Sequence, residues 1–482
     1  MQTLLTSLLC LLALSIGRAR AQEKPPPLTP CTVRGLSGEV VCGSVRVPED
    51  PAKPAGRQID IAVVIARAIG PDREPDPFVL LAGGPGQAGT EMGPFASEAF
   101  GAVRQQRDLV LIDARGTGRS NPLRCALLRR PEDFAAWTLY PPESVRRCRD
   151  SLAVIADLRQ YTTANIADDL EAVRKAFGWP QLNLYGTSYG TRLALVFLRR
   201  HESSVRSVVL KAVAPPSLIA PMNYAQDAER AFGLLERDCR ADPACFGAFP
   251  SLRADLDSVL ARAGRGALRA AVPRGTGGTD TVPMHRDAIA GTLMGALQSA
   301  RNRIQIPAAL RAAAAGNPAP LLAMVLQYRS GIDAGLYIGM HLSVSCAEDA
   351  RRLELPKARE DDGRTFLGSS RVRMLAEACA DWPVGAPSRE AFDPVRSRVP
   401  VLLVSGELDP NTPPRHAEAA LRTLTNGRHV LLRGVAHGWT NVAACGSAFV
   451  AQFVTAASAR GLDVACGETS SAPAFPSAQA RP

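Results

Sequence analysis

One short segment, residues 182–200, restricts the fold of this 482-residue chain more than any other. An apolar run leads into Gly186-Thr187-Ser188-Tyr189-Gly190, and apolar side chains recur at helical spacing behind it. A strand, a tight turn and a helix in this order hold the middle serine on a strained backbone, and only very small flanking residues let strand and helix approach. The segment predicts an α/β fold in which Ser188 is a candidate nucleophile.

Two later loops carry a candidate acid and a candidate base, in the chain order Ser, Asp, His. The apolar run 399–404 opens into a turn-rich loop that contains Asp409, and a second apolar run precedes the loop that contains His437. Glu407 is the rival to Asp409, but Asp409 stands at the end of its loop, where a carboxylate can reach the imidazole. The pattern predicts that Ser188, Asp409 and His437 form a catalytic triad.

The chain has only six histidines, so the other five can be judged by position. None follows a late strand in the way that His437 does. Each is predicted to be an ordinary surface or packed histidine: His201, His285, His341, His416 and His429.

A glycine-rich loop follows an early apolar run, 78–81, and reads Gly83-Gly84-Pro85-Gly86. Alone it predicts an ordinary turn. Beside a triad, it predicts backbone N–H donors for an oxyanion hole, together with the N–H that follows the nucleophile. The candidate donors are Gly83, Gly84 and Tyr189.

In combination and in order, these segments resemble the proline iminopeptidase and tripeptidyl aminopeptidase family of α/β-hydrolases. The resemblance also includes the segment from Asp113 to Ser120 and the pair Thr412-Pro413. It implies a serine exopeptidase that releases residues or short peptides from free N-termini. Proline iminopeptidases usually carry His where this chain has Ala82, which favours the tripeptidyl branch. Related sequences commonly carry Asp-Gly where Lys211 and Ala212 stand, which bears on specificity more than on chemistry.

The same resemblance implies a mostly parallel central sheet with helices on both faces and an inserted, mainly helical cap. The glycine-rich stretch 274–278 is expected to be a linker between cap helices, with a mobile loop as the alternative. The predicted organisation is a signal peptide (1–21), a first part of the hydrolase core (32–215), a helical cap (216–394), a C-terminal part of the core (395–466) and a disordered tail (467–482).

The N-terminus predicts export, to a periplasm or out of the cell. The apolar stretch 4–16 is too short to span a bilayer, and a small-x-small site ends at Ala21, before Gln22. No later segment is apolar for long enough to span a membrane, so no stable membrane insertion is expected.

Ten cysteines remain after Cys10 leaves with the leader, and an even number in an exported chain predicts disulfides. With no C-x-x-C and no histidine at ligand spacing, no metal is expected. The triad mechanism needs no cofactor, so none is expected. Sequence alone does not fix connectivity, but the preferred pairing joins neighbours: Cys31 with Cys42, Cys125 with Cys148, Cys239 with Cys245, Cys346 with Cys379, and Cys445 with Cys466.

The formal charge of +10 falls to +8 when Arg18 and Arg20 are removed with the leader. Basic residues are interleaved with acids along the chain, so no nucleic-acid partner is predicted. Arg115 and Arg119 lack the lysine pattern of a phosphate loop and are expected to shape the wall near the nucleophile. The sequence leaves the oligomeric state undetermined.

An enzyme that binds a free N-terminus needs an opposite charge for the desolvated ammonium group. Glu348 and Asp349, which follow Cys346 in the cap, are the candidates. The alternative is structural: the start of a surface helix, or pairing with Arg351 and Arg352. Two other functions stay open, namely a secreted carboxylesterase or lipase with the same triad, and an inactive binding module that the intact triad disfavours.

Overall fold

The computed structural model describes residues 25–127, 139–273, 277–388, 390–439 and 442–476. The predicted signal peptide lies outside the described residues. The strands are β1 (Thr29–Pro30), β2 (Val40–Pro48), β3 (Gln58–Ala66), β4 (Phe78–Leu81), β5 (Leu109–Ile112), β6 (Leu182–Thr187), β7 (Val205–Lys211), β8 (Arg269–Pro273), β9 (Thr279–Pro283), β10 (Val401–Gly406) and β11 (Gly427–Leu432).

Nine strands of the described residues form one sheet in the order β1-β2-β3-β5-β4-β6-β7-β10-β11. From β5 to β11 the neighbours pair in parallel, whereas β1, β2 and β3 add an antiparallel edge. Continuous apolar runs such as β4 and β5, buried along their whole length, are typical of parallel strands covered on both faces. The predicted fold class, a mostly parallel sheet in an α/β-hydrolase arrangement, is confirmed.

Helices cover both faces of this sheet, and alternate strand residues point into two separate apolar clusters. Leu184 packs in one cluster with α2 (Pro142–Ala153), α3 (Thr163–Ala176) and α4 (Tyr189–Arg200). Its neighbour Tyr185 packs in the other. That second face is covered by α1 (Gly93–Phe100) and α16 (Ala443–Ala456), while α15 (Pro414–Leu421) and α17 (Ala465–Glu468) complete the C-terminal part.

Between β7 and β10 the chain forms a mainly helical region, which we call the cap. The cap has its own apolar cluster, the cap cluster, which runs from Ala225 to Leu367. One of its helices also packs with the main core, through Ile338, Met340 and Leu342. The helices are α5 (Tyr224–Ala241), α6 (Pro243–Ala248), α7 (Leu252–Gly264), α8 (Arg286–Leu297), α9 (Ala300–Arg303), α10 (Ile306–Ala314), α11 (Ala319–Gly335), α12 (Ile338–Glu348), α13 (Leu355–Ala358) and α14 (Ser370–Cys379).

Two expectations differ from the structure. The glycine-rich stretch, of which residues 274–276 lie outside the described residues, is flanked by the antiparallel strands β8 and β9 and not by helices, because Ala270 and Val272 turn apolar side chains into the cap cluster in strand alternation. Of the tail predicted to be disordered, residues 467–476 pack on the fold, and residues 477–482 lie outside the described residues. The described part of the tail is anchored by a disulfide at Cys466, and its Phe475 lies against the cap cluster.

All five preferred disulfides are confirmed, and each joins cysteines that are neighbours along the chain. The Cys346–Cys379 bond ties α12 to α14, two helices of the inserted region. No helix among the described residues is both long and apolar enough to cross a bilayer.

Candidate active site

Ser188 stands between β6 and α4 in a backbone conformation that is rare for any residue with a side chain, with φ 54° and ψ −123°. The glycines on either side are required by close approach. A Cβ on Gly186 would lie 2.4 Å from the carbonyl oxygen of Gly190, and a Cβ on Gly190 would lie 2.1 Å from that of Leu81. The sharp turn therefore lifts Ser188 above the end of the sheet, as the sequence pattern predicts.

The structure brings Asp409 and His437 together. His437 Nδ1 lies 2.8 Å from Asp409 Oδ2, an oxygen that also accepts a 2.9 Å hydrogen bond from the Thr412 hydroxyl. The other oxygen accepts from the backbone N–H groups of Asn411 and Thr412. Burial would raise the pKa of Asp409, but the charge and hydrogen bond of His437, with Lys211 and the Thr412 N–H, hold it well below its usual value. Asp409 is therefore an ionised, fully buried carboxylate that orients the imidazole.

A buried lysine and residues of the cap hold in place the two loops that carry Asp409 and His437. Lys211 Nζ donates to the His437 carbonyl at 3.0 Å, and the His437 N–H donates to the carbonyl of Gln298, at the end of α8. Arg230 of α5 donates to the carbonyl groups of Glu407 and Asp409. Burial lowers the pKa of Lys211 to about 8, against the attraction of Asp409.

The glycine-rich loop lies directly beside the candidate nucleophile. A Cβ on Gly83 would lie 3.3 Å from the Cβ of Ser188. Tyr189 is the first residue of α4, where backbone N–H groups lack an intrahelical partner. Gly83 and Tyr189 therefore both lie next to Ser188, and Gly84 lines the adjoining cavity.

Cap helix α12 is hydrogen-bonded to the glycine-rich loop. The Tyr337 N–H donates to the carbonyl of Gly86, and His341 Nδ1 lies 3.0 Å from the carbonyl oxygen of Pro85. The other ring nitrogen of His341 lies 2.7 Å from the hydroxyl of Tyr140. Burial lowers the pKa of His341 to about 4, although the Pro85 carbonyl opposes this shift.

A cavity of about 670 Å³ lies between the sheet and the cap, and both Ser188 and His437 line it. Cap helices supply most of its other walls, with apolar side chains such as Met324, Ile332 and Leu336 alternating with amides. This volume is in the range of sites that enclose a small ligand.

The two candidate acids occupy different positions. Asp349 lines the cavity, and Arg192 holds it through two contacts of 3.0 and 3.2 Å. Asp349 Oδ1 also accepts from Arg352 and from the N–H of Ala220. Glu348 lies behind the wall, where its carboxylate accepts from the N–H of Thr163 and lies 3.5 Å from Arg192. Burial raises the pKa of Glu348, against the charge of Arg192.

The remaining candidates have local roles. The rival carboxylate Glu407 accepts from the N–H of Gly434, and Arg115 is buried in a two-point ion pair with Asp169. Arg119 donates its N–H to Asp113.

Sequence reasoning missed that His341 reaches the cavity, because its position in the middle of the chain carries no signal of this contact. Lys211 and Thr412 also escaped notice as parts of the site. The sequence shows that Lys211 follows Ser188 and that Thr412 follows Asp409. It does not show that Lys211 donates to the His437 carbonyl or that Thr412 donates to Asp409.

Comparison with known proteins gives two matching family models. Residues 76–237 match the model described as the alpha/beta hydrolase fold, and residues 364–466 match the model described as TAP-like protein. The serine protease Hip1 of Mycobacterium tuberculosis is 27% identical over 91% of this chain and 90% of its own length. A tripeptidyl aminopeptidase of Streptomyces lividans is 32% identical over 42% of this chain and 41% of its own. The protein named Carboxylesterase B in Mycobacterium tuberculosis is 28% identical over 77% and 76%.

Proposed function

We propose that this chain, an α/β-hydrolase of the group that includes the tripeptidyl aminopeptidases, is a serine aminopeptidase that releases N-terminal residues or short peptides. One observation carries the proposal. Ser188 and His437, whose imidazole contacts Asp409, both line a cavity that cap helices help to enclose, and such a site admits chain ends more readily than folded segments. Similarity to Hip1 and to a tripeptidyl aminopeptidase supports peptide substrates.

In this mechanism His437 takes the proton of the Ser188 hydroxyl as the oxygen attacks the scissile carbonyl carbon. Asp409 accepts the Nδ1–H of the imidazole and stabilises its cationic form. The N–H groups of Gly83, Gly84 and Tyr189 stabilise the oxyanion. His437 then protonates the leaving amine, and water hydrolyses the acyl-enzyme by the same proton route.

The free α-ammonium group of the substrate binds at Asp349, with Glu348 behind it. The support is that, of the described residues that line the cavity, Asp349 is the one that carries a carboxylate. In Asp349→Asn the preference for free over N-acetylated peptides should fall towards one. In Glu348→Gln, a change made behind the wall, the preference should persist. Equal preferences in wild type and Asp349→Asn would exclude Asp349 as the amine site.

A carboxylesterase is the second candidate, favoured by the similarity to Carboxylesterase B and by the apolar part of the cavity wall. The first experiment compares the mature protein with Ser188→Ala on free-amine and N-blocked mono-, di- and tripeptidyl amides and on p-nitrophenyl esters. Hydrolysis of the free-amine peptides alone, lost in the variant, supports the aminopeptidase. Ester cleavage without peptide cleavage would replace it with the esterase.

We further propose that the chain is exported, to a periplasm or beyond the cell, as a protein that is not inserted in the membrane. Five disulfides support an oxidising compartment. Cleavage before Gln22 is tested by sequencing the N-terminus of the protein recovered from each compartment. A cytoplasmic protein that retains residues 1–21 would contradict export.

A further inference from the structure

One wall of the cavity carries a guanidinium group that the mechanism does not use. Arg371, the second residue of α14, lines the cavity together with Tyr140, Tyr224 and Tyr328. Gly291 of helix α8 lies beside this group, since a Cβ there would lie 3.9 Å from Arg371 Nη1, an ordinary van der Waals distance.

A second glycine of the same helix seats one of the tyrosines. A Cβ on Gly295 would lie 2.1 Å from a ring atom of Tyr328, so no larger residue fits there without moving the ring. Both residues line the cavity. Gly295 therefore lets α8 pack directly against the phenol ring of Tyr328, one turn from the point where Gly291 lies beside Arg371.

Arg371 differs in its partners from three arginines that are buried in the fold. Arg107, Arg115 and Arg192 each lie within 3.0 Å of a carboxylate oxygen. Within the part of the chain that the structure describes, Arg371 forms no ion pair with any Asp or Glu. Desolvated charges are ordinarily paired, so an arginine that faces a cavity without a carboxylate is suited to an anionic ligand.

Two of the tyrosines around Arg371, Tyr140 and Tyr224, stay neutral and do not replace that carboxylate. Burial raises the pKa of Tyr140 and of Tyr224 to about 12, so both keep their hydroxyl hydrogen near pH 7. Burial lowers the pKa of Arg371, but the neighbouring phenols outweigh burial and raise it, so the guanidinium stays charged. Arg371 thus offers a permanent positive charge, and Tyr224 and Tyr328 offer hydroxyl donors beside it, whereas the hydroxyl of Tyr140 already donates to His341.

The rest of the wall does not cancel this charge. Asp349 is the carboxylate among the described cavity-lining residues, and it is already held by Arg192 and Arg352. The carboxylate of Asp349 therefore does not serve as the partner of Arg371.

We propose that Arg371, with the hydroxyl groups of Tyr224 and Tyr328, binds a carboxylate of the substrate and makes the enzyme selective for peptides that carry an acidic group close to the cleaved bond. This inference rests on the proposed aminopeptidase function and names its substrate class. The carboxylate has two possible sources, the side chain of an Asp or Glu residue and the C-terminus of a short peptide.

The test measures kcat/KM on matched pairs of substrates. One set contains tripeptidyl amides with a free amine and Glu or Gln at each position in turn, and the other contains short peptides that end in a carboxylate or an amide. In wild type, the acidic member of at least one pair is expected to be favoured about tenfold or more, the usual effect of a charge-assisted hydrogen bond. The set that shows the preference identifies the source of the carboxylate.

Variants of Arg371 show whether the preference for the acidic substrate depends on its guanidinium group. Arg371→Gln is expected to bring the ratio to about one, and Arg371→Lys to keep part of it. The matched control is Arg373→Gln, on the same helix but exposed and 3.6 Å from Asp287, which should keep the wild-type ratio. A ratio of one in wild type, or a preference that Arg371→Gln leaves intact, would overturn the proposal. If Arg371→Gln fails to fold, the wild-type ratio and Arg371→Lys decide instead.

Failure of the aminopeptidase proposal would be seen separately, as the absence of any peptide hydrolysis in wild type. The same pairs are then offered as p-nitrophenyl esters whose acyl chain ends in a carboxylate or a carboxamide. A carboxylate preference that Arg371→Gln removes would support the anion site on an esterase. Equal rates on the two esters would overturn it.

Discussion

His341 Nδ1 lies 3.0 Å from the carbonyl oxygen of Pro85, so a helix of the cap is hydrogen-bonded to the loop beside Ser188. Because burial keeps His341 neutral, Nδ1 carries the hydrogen and donates it, while Nε2 accepts from Tyr140. The proposed oxyanion donors are thus held partly by residues of the cap.

Removal of this contact should slow the chemical step more than it weakens binding. We expect His341→Ala to lower kcat about tenfold with a smaller change in KM, since a displaced loop no longer aims its N–H groups at the oxyanion. The control is His285→Ala, an exposed cap histidine outside the cavity. Steady-state kinetics on one peptide substrate measure both constants, and an unchanged kcat in His341→Ala would contradict the role.

The same histidine should make stability depend on pH. Its folded pKa of about 4 lies below the usual 6.5, so the unfolded chain binds more protons between these values, and the free energy of unfolding falls as pH drops from about 6.5 to 4. His341→Gln removes this contribution. Urea unfolding at pH 7 and at pH 4.5 should show a smaller loss for the variant, and equal losses would contradict the expectation.

Thr412 should matter through its hydroxyl group. Its Oγ1 donates to the Asp409 oxygen that receives His437, so Thr412→Val leaves that buried carboxylate with one donor fewer. We expect kcat/KM to fall about tenfold, whereas Thr412→Ser, which keeps the donor, should stay near wild type. Equal activity of the Val and Ser variants would show that the hydroxyl is dispensable.

Lys211→Met should lower activity and flatten the alkaline stability profile. The folded pKa of Lys211, about 8, lies below its usual 10.5, so the unfolded chain binds more protons in that range and stability rises with pH there. The variant lacks this rise and leaves the His437 carbonyl without its donor, for which we expect about tenfold lower kcat. Denaturant unfolding at pH 7.5 and pH 10 checks the slope, with the exposed Lys175→Met as control.

The turn at Ser188 should store strain that glycine relieves. With φ 54°, Ser188→Gly is expected to be more stable than Ser188→Ala by about 1 kcal/mol, although both are inactive. Because both variants lack the Ser188 hydroxyl, its loss does not contribute to the difference in stability between them. Urea midpoints measure the difference, and an Ala variant at least as stable as the Gly variant would contradict the expectation.

Sequence order predicted the parts of the fold that local pattern controls. The tight turn at Ser188 was predictable because the sequence places a glycine on each side of it, where strand and helix approach closely. Asp409 was preferred to Glu407 because of its position at the end of the loop, and it is Asp409 that contacts His437. The disulfides followed from spacing, because cysteines that are neighbours in the chain also meet in space.

Contacts between distant segments were not predictable in the same way. His341 meets Pro85 across 256 positions, and Arg192 meets Asp349 across 157, so no spacing rule connects them. The short hairpin β8–β9 was hidden because Arg269–Pro273 contains two alanines, which carry little strand signal.

The five disulfides close intervals of 6 to 33 residues, and none encloses another. In a chain that emerges N-terminus first from a ribosome or a translocation pore, each cysteine meets its partner before the next pair appears. An oxidase that acts as the chain emerges therefore makes the native bonds in order, and maturation needs no isomerase to reshuffle mispaired cysteines.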